Sequence, residues 1–177
     1  MLEKNKELWE RCVAFHGHAC GGLAVGYQAS LYAMELLGVS GRAQDEELVC
    51  VTENDACGVD AVQAVLGCTV GKGNLIFRMT GKQAFNFFDR QSGKSVRLLL
   101  RATPGLSRQE RESWLMHGDF HEMFDVGPAR AALPETARIF KTCTCAKCGE
   151  RMAESHAHLQ NGEIVCDDCF APYTRGL

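Results

Sequence analysis

The sequence predicts an α+β fold followed by a small unit built around cysteines. Helical spacing of apolar residues dominates the first third of the chain. Strand-like runs separated by turn residues come next, and two Cys-x-x-Cys pairs lie near the C-terminus. A chain of 177 residues has the length of one core domain with a small satellite. We therefore place an α+β domain at residues 1–135 and a zinc-finger domain at residues 140–177.

Three helices and one buried strand are expected in the first 66 residues. Apolar residues recur at i, i+4 and i+7 over residues 4–15, which indicates an amphipathic helix. Residues 23–37 are apolar on nearly all sides and rich in small residues, so this helix should be buried and closely packed, with Gly38 ending it. The run 48–52 is typical of a buried strand, and a third helix is expected over residues 59–66.

A meander of three strands and one further helix are expected after the third helix. The strand-like runs, which are separated by glycine-containing turns, cover residues 75–79, 84–88 and 96–100. Ser107 and Glu110 form a capping box, which predicts a helix reaching about Gly118. Residues 119–139 are weakly patterned, and we interpret them as a helix or loops that lead into a hinge.

The cysteine pairs at the C-terminus predict a structural zinc site. Seventeen residues separate the two pairs, a spacing within the range of four-cysteine zinc sites, and four thiolates close a tetrahedral shell. The expected ligands are Cys145, Cys148, Cys166 and Cys169.

The surroundings of these cysteines suggest further detail. Asn161-Gly162 is a hairpin turn signal, and a short helix is expected to begin near Cys166. Cys143 is an alternative to Cys145, although its spacing to the second cysteine of the pair is poorer for a knuckle. His156 and His158 are expected on the hairpin surface rather than as ligands, because four cysteines already fill the shell.

A second metal site is expected in the first domain. His16, His18 and Cys20 alternate along the chain, so in an extended segment their side chains share one face. Cys57 lies at a strand-to-helix turn, and Asp60 follows it by one helical turn. Imidazole and thiolate together suit zinc or another transition metal. We name Cys57 and His18 as the candidate catalytic pair, with His16 or Cys20 as third ligand and Asp60 as a ligand or a group that orients one.

Two further expectations concern the region around Cys57. A helix N-terminus stabilises a thiolate, so the pKa of Cys57 is expected to be low. Glu53 and Asp55 are candidates for a general base, for groups that support the ligands or for helix caps. The glycine-rich loop at 67–74 lacks the order of a phosphate-binding P-loop, which argues against that function.

Composition argues against several classes of protein. A net charge of −3 without a basic cluster argues against a nucleic-acid partner. No run of 18 uncharged apolar residues is present, so we expect no membrane span. The charged N-terminal residues do not resemble a secretory signal. We therefore interpret the ten cysteines as thiols and metal ligands in a reducing cytoplasm.

Three segments of the sequence resemble the family of the formylmethanofuran dehydrogenase E subunit. They are Phe15 to Tyr27 with its His-Gly-His-x-Cys core, Glu53 to Gln63 with Asn-Asp-x-Cys, and Gly67 to Leu75 with Gly-Cys-Thr-x-Gly-Lys-Gly-Asn. The resemblance covers about residues 8–100. Gly21 departs from it, because the family usually has proline after the cysteine.

The resemblance implies an α+β domain with a mixed sheet, a homodimer, a His/Cys metal site and a treble-clef-like finger. It suggests an accessory or catalytic protein of one-carbon or molybdenum/tungsten-enzyme metabolism, with such an enzyme as a candidate partner of the finger. The alternative is a metal sensor, carrier or regulatory module whose finger docks a protein or nucleic acid. An open coordination position would favour the first class, and a closed shell would favour the second.

Overall fold

The computed structural model describes residues 2–103 and 105–175. The chain divides into two compact units, the first ending at Thr136 and the second beginning at Ala137.

A five-stranded mixed sheet forms the framework of the first unit. Its strand order is β2-β1-β3-β4-β5. β1 and β2 are parallel, and every other neighbouring pair is antiparallel. The strands are β1 (Leu48–Thr52), β2 (Leu75–Phe77), β3 (Ala84–Asp89), β4 (Ser95–Leu100) and β5 (Phe124–Gly127).

The helices build the main core of the first unit together with one face of this sheet. In β1, Leu48 and Cys50 join the main core, whereas Val49 and Val51 belong to a small cluster on the opposite face. This division follows from the alternation of side chains along a strand. The helices are α1 (Leu2–His16), α2 (Gly21–Leu37), α3 (Gly58–Leu66), α4 (Arg108–His117) and α5 (Phe120–Met123). The structure confirms the predicted α+β class.

α2 is the central helix of the unit, and its glycines allow α3 to pack closely. A Cβ atom added at Gly26 would lie 1.8 Å from the carbonyl oxygen of Gly58, so no side chain fits at this crossing. Gly38 ends α2 in the left-handed conformation, and its amide donates to the carbonyls of Met34 and Glu35. The close crossing brings the N-termini of α2 and α3 together, and this positions the candidate site.

The predicted meander over residues 75–100 is wrong in its first strand. β2 pairs in parallel with β1, and β1 lies between β2 and β3. The three consecutive antiparallel strands are instead β3, β4 and β5. β5 lies in the weakly patterned segment, for which the sequence predicts a helix or loops. Only four residues long, it has too little alternation to be recognised.

The second unit contains two small hairpins. Asn161 and Gly162 have φ angles of 53° and 84°, so the expected hairpin turn is present. The expected helix near Cys166 is reduced to a single turn, in which the amides of Cys169 and Phe170 donate to the Cys166 carbonyl. The elements are β6 (Thr142–Thr144), β7 (Arg151–Ala153), a 3₁₀ turn (Glu154–His156), β8 (Ala157–Gln160) and β9 (Glu163–Cys166).

Among the described residues, no helix is both long and apolar enough to cross a membrane.

Candidate metal centres

Four cysteines of the second unit converge on one point. The sulfur atoms of Cys145, Cys148, Cys166 and Cys169 all lie within 4.8 Å of one another. The first pair belongs to the turn between β6 and β7, where Gly149 takes a φ of 76°. The second pair is at the end of β9 and in the turn that follows. This set of four thiols has the composition of a tetrahedral site for a metal such as zinc.

The local electrostatics of this cluster favour a cation. Amides of Cys148 and Cys166 donate to the Cys145 sulfur and lower its pKa to about 6. Hydrogen bonding to the Cys166 sulfur is the main cause that raises the pKa of Cys169 to about 12. One thiolate is thus stabilised while its neighbours resist a second negative charge. A divalent cation would relieve this repulsion, because it stabilises all the thiolates together.

The other candidate ligands of the second unit lie apart from this cluster. Cys143 is in β6 and is not part of the group, so the alternative in which it replaces Cys145 has no support. His156 and His158 both contact the carboxylate of Asp167, at 2.9 and 2.5 Å.

Three helix ends form a second cluster in the first unit. His16 is the last residue of α1, Cys20 caps the N-terminus of α2, and Cys57 occupies the same position in α3. Their ligand atoms lie within 4.8 Å of one another, and all three residues are partly buried. One imidazole nitrogen and two sulfurs form a donor set that suits zinc and related transition metals.

Asp60 orients the imidazole of His16 toward the two thiols. Its Oδ2 atom lies 2.7 Å from His16 Nδ1, and Gln63 Nε2 donates to Oδ1 at 3.2 Å. A carboxylate can only accept, so Nδ1 carries the hydrogen, and Nε2 is the ring nitrogen left to bind a metal. Nε2 lies 3.9 Å from Cys20 Sγ, on the side of the cluster. This carboxylate–histidine arrangement is the one that commonly supports metal-binding histidines.

Gly22 gives the two thiols room to approach each other. A Cβ atom added there would lie 3.2 Å from Cys57 Cβ, 3.5 Å from Cys57 Sγ and 3.9 Å from Cys20 Sγ. Any larger side chain at this position would occupy the space beside both sulfurs. The donor set, the oriented imidazole and this space together fit a metal ion.

His18 lies outside the cluster. Its ring packs against the His16 ring with centroids 4.6 Å apart, and the residue is exposed. The expected extended segment with a shared face is not formed, because His16 is helical and Gly17 turns the chain with a φ of 95°. The structure therefore brings together His16, Cys20 and Cys57 and leaves His18 at the surface.

The expectation of a low pKa for Cys57 is wrong. Burial raises the pKa of this thiol, and the neighbouring Cys20 sulfur raises it further. Cys57 receives no capping hydrogen bond from α3, whereas the amide of Leu23 donates to Cys20 Sγ at 3.3 Å. The helix N-terminus that supports a sulfur is thus that of α2.

Glu53 is a structural group rather than a candidate base. Its carboxylate pairs with the buried guanidinium of Arg97 at 2.6 and 3.0 Å and accepts from Asn86 and Thr80. These contacts lower the pKa of Glu53 to about 2. Asp55 is exposed and does not cap α3, whose N-cap has no side-chain hydrogen bond.

Side chains of the glycine-rich loop at 67–74 bind backbone carbonyls of residues 43–48. Lys72 Nζ donates to the carbonyls of Ala43 and Asp45, each at 3.0 Å, and the side-chain amide of Asn74 donates to the Leu48 carbonyl at 2.8 Å. The ammonium group of Lys72 is therefore held by backbone carbonyls of the protein itself.

Two clefts of opposite charge open beside the cluster. The first, with a volume of about 370 Å³, is lined by Cys20, Arg108 and Arg111 among others. The second has a similar volume of about 370 Å³ and is lined by His16, Cys57 and the acidic residues Asp55 and Asp60. The cluster can thus be reached from two sides, and we call these spaces the Cys20 cleft and the Asp60 cleft.

Comparison with known proteins finds related sequences and a related fold. A family model described as "FmdE, Molybdenum formylmethanofuran dehydrogenase operon" matches residues 15–149. A "Probable S-adenosyl-L-methionine-binding protein" of Archaeoglobus fulgidus is 30% identical over an alignment 172 residues long, and the match covers 79% of this chain and 47% of that protein. The chain thus spans about half the length of this curated relative.

A solved structure with the same fold is also found. It is the crystal structure of a tungsten formylmethanofuran dehydrogenase FmdE-like protein from Syntrophus aciditrophicus. The TM-score is 0.63 with 22% identity, and the match covers 93% of this chain and 91% of that chain.

Proposed function

The chain belongs to the FmdE family, as its sequence motifs indicated, and on this premise we propose that it acts through a metal centre held by His16, Cys20 and Cys57. The metal assigned to this centre is zinc or another transition metal that accepts imidazole and thiolate. A second ion, a structural zinc, belongs to the four cysteines of the second unit.

The hydrogen bond between Asp60 and His16 carries this proposal. A partly buried histidine whose Nδ1 is held by a carboxylate, with the Cys20 sulfur 3.9 Å from its Nε2 and the Cys57 sulfur in the same cluster, has the surroundings of a metal ligand. A hydrogen-bonded core histidine would not require two sulfur atoms beside its ring. The geometry supports His16, rather than His18, as the imidazole that acts with Cys57.

Three protein ligands favour catalysis or transfer over sensing. Catalytic zinc sites have three protein ligands and one open position, whereas structural sites are closed by four. Zinc bound in this way supplies a Lewis-acidic position for a substrate or a water molecule. Around it, Asp60 fixes the imidazole, Cys20 faces one cleft, and His16 and Cys57 face the other.

The family motivates a proposal for the role of the protein in the cell. We place the protein in one-carbon or molybdenum/tungsten-enzyme metabolism, as an accessory or catalytic component. In this proposal the finger docks a protein partner, such as a molybdenum or tungsten enzyme, and the chain works as a homodimer in the cytoplasm. Sedimentation at micromolar concentration is the test of the dimer, and a single species of about the 19.5 kDa chain mass contradicts it.

Metal content per chain tests the proposal. We expect the wild type to retain two ions after dialysis and Cys57→Ser to retain one, with the finger as internal reference. Cys143→Ser is the matched control, since Cys143 lies outside both clusters, and it should retain two ions. If Cys57→Ser also retains two ions, Cys57 is not a ligand. If the wild type retains one, the second centre is refuted.

A further inference from the structure

We propose that the Cys20 cleft binds short organic carboxylates, with Arg108 and Arg111 holding the carboxylate and the apolar wall holding the hydrocarbon part. Binding of carboxylates in this cleft does not depend on the proposed function. The further statement that such a carboxylate is the substrate of the metal centre rests on the proposed function.

The charge of the cleft selects an anion. Arg108 and Arg111 line it, with Glu112 as the one acidic residue of the lining. Among the described side chains, those of residues 6–103 and 105–175, no group forms an ion pair or a hydrogen bond with either guanidinium. Guanidinium groups bind carboxylates through paired hydrogen bonds. These two cations are therefore available to a ligand.

The Asp60 cleft has the opposite character. Asp55 and Asp60 line it without any lysine or arginine. An anion that approaches the cluster is therefore repelled on this side and attracted on the other. The two charges assign the anionic ligand to the Cys20 cleft.

The rest of the lining limits the size and polarity of the ligand. Val25, Leu100 and Leu115 supply an apolar wall, and Gln83 adds one amide. A volume of about 370 Å³ lies at the lower end of the range for small-molecule sites. A short carboxylic acid satisfies both conditions, because its head pairs with arginine and its hydrocarbon part contacts the wall.

Gly21 lies where α4 packs against the start of α2. It follows Cys20, and a Cβ atom added there would lie 3.2 Å from Leu115 Cδ1 and 3.9 Å from Glu112 Cγ. α4 therefore lies directly against the first turn of α2. The arginines of α4 and the sulfur of Cys20 thus face the same space.

Ligand-observed NMR titration of the zinc-loaded full chain tests the inference, with butyrate as the probe and butyramide as its neutral analogue. We expect butyramide to bind about tenfold more weakly, as for loss of a hydrogen bond to a charged group. Arg108→Gln and Arg111→Gln should each weaken butyrate binding by about tenfold. Glu112→Gln should strengthen it, because the repelling carboxylate of the same helix is removed.

Arg11→Gln is the control, since Arg11 is an exposed arginine of α1 that does not line the cleft. Equal binding of butyrate and butyramide, or equal effects of Arg108→Gln and Arg11→Gln, overturns the inference. Inorganic phosphate that competes as strongly as butyrate overturns the assignment to carboxylates. Metal content is measured in the same samples. Two ions per chain without butyrate binding refute this inference and leave the proposed metal centre intact. One ion per chain with butyrate binding refutes the metal centre and leaves the carboxylate site intact.

Discussion

Two imidazoles that are two residues apart in sequence have different surroundings. His16 is partly buried, and its Nδ1 is held by Asp60 at 2.7 Å. His18 is exposed and contacts the His16 ring. Gly17 separates them by ending α1 in the left-handed conformation. Substituting each histidine in turn therefore distinguishes a metal ligand from a histidine that only lies next to one.

His16→Ala is expected to lower the metal affinity of the first unit by at least about tenfold, as for loss of a ligand or of its support. His18→Ala should leave this affinity nearly unchanged, because its ring lies outside the cluster. Competition against a chromophoric chelator measures both values, with the four-cysteine site as reference. An equal loss in the two variants would mean that the imidazoles act together.

Glu53 makes stability depend on pH. Its pKa is about 2 in the folded protein, below the usual 4.5, so the folded state binds this proton less readily than the unfolded chain. The ion pair therefore contributes its full stability above pH 4.5 and loses it as the pH falls toward 2. Glu53→Gln should cost about 3–5 kcal/mol at pH 7, because Arg97 remains buried without its partner.

Urea unfolding at several pH values measures this effect. The wild type should lose stability between pH 4.5 and 2 more steeply than Glu53→Gln does. Glu10→Gln is the control, since Glu10 pairs with Lys6 on the exposed surface of α1 and should change little. Parallel pH curves for the wild type and Glu53→Gln would show that this carboxylate is not the titrating group.

At the scale of elements, the sequence predicts those with strong periodicity. The strand at 48–52 is found with the same bounds, and the capping box at Ser107 and Glu110 starts α4 as expected. The order of the strands in the sheet is not predicted in the same way, because periodicity within a strand does not show which strand lies beside it. Nothing local to residues 75–77 shows that they lie parallel to β1. Such pairing is fixed by tertiary packing and not by propensity.

The candidate site is predictable in its residue types and less so in its geometry. Convergence of two helix starts follows from the small residues of α2, visible as Gly22 and Gly26 in the sequence. The role of His16 depends on the turn at Gly17, which alternation along an extended segment does not anticipate. The raised pKa of Cys57 depends on burial and on Cys20, and both are properties of the folded chain.

The four-cysteine unit is expected to unfold when its metal is removed. Only Cys145 and Val165 are fully buried among its described residues, which is too little apolar core for independent stability. Hydrogen exchange with and without a chelator measures this, and the amides of β8 and β9 should lose their protection. Unchanged protection after chelation would mean that the hairpins are stable without metal.

At the scale of the whole molecule, the apolar core lies in the first unit. The main cluster includes residues of α1 to α5 and of the sheet, from Cys12 to Phe124. We expect residues 1–135, expressed alone, to fold cooperatively. Thermal unfolding followed by circular dichroism checks this expectation, and a chain that is soluble only when unfolded would refute the proposed boundary.

The central claim is that His16, Cys20 and Cys57 hold a metal ion, and anomalous diffraction at the zinc edge tests it most directly. Crystals of the zinc-loaded full chain should show two anomalous peaks per chain. One should lie among the four cysteines of the second unit. The other should lie about 2.0–2.3 Å from His16 Nε2, Cys20 Sγ and Cys57 Sγ, the usual zinc–ligand distances. A single peak at the four cysteines, or a second peak bound by His18 away from these sulfurs, would contradict the claim.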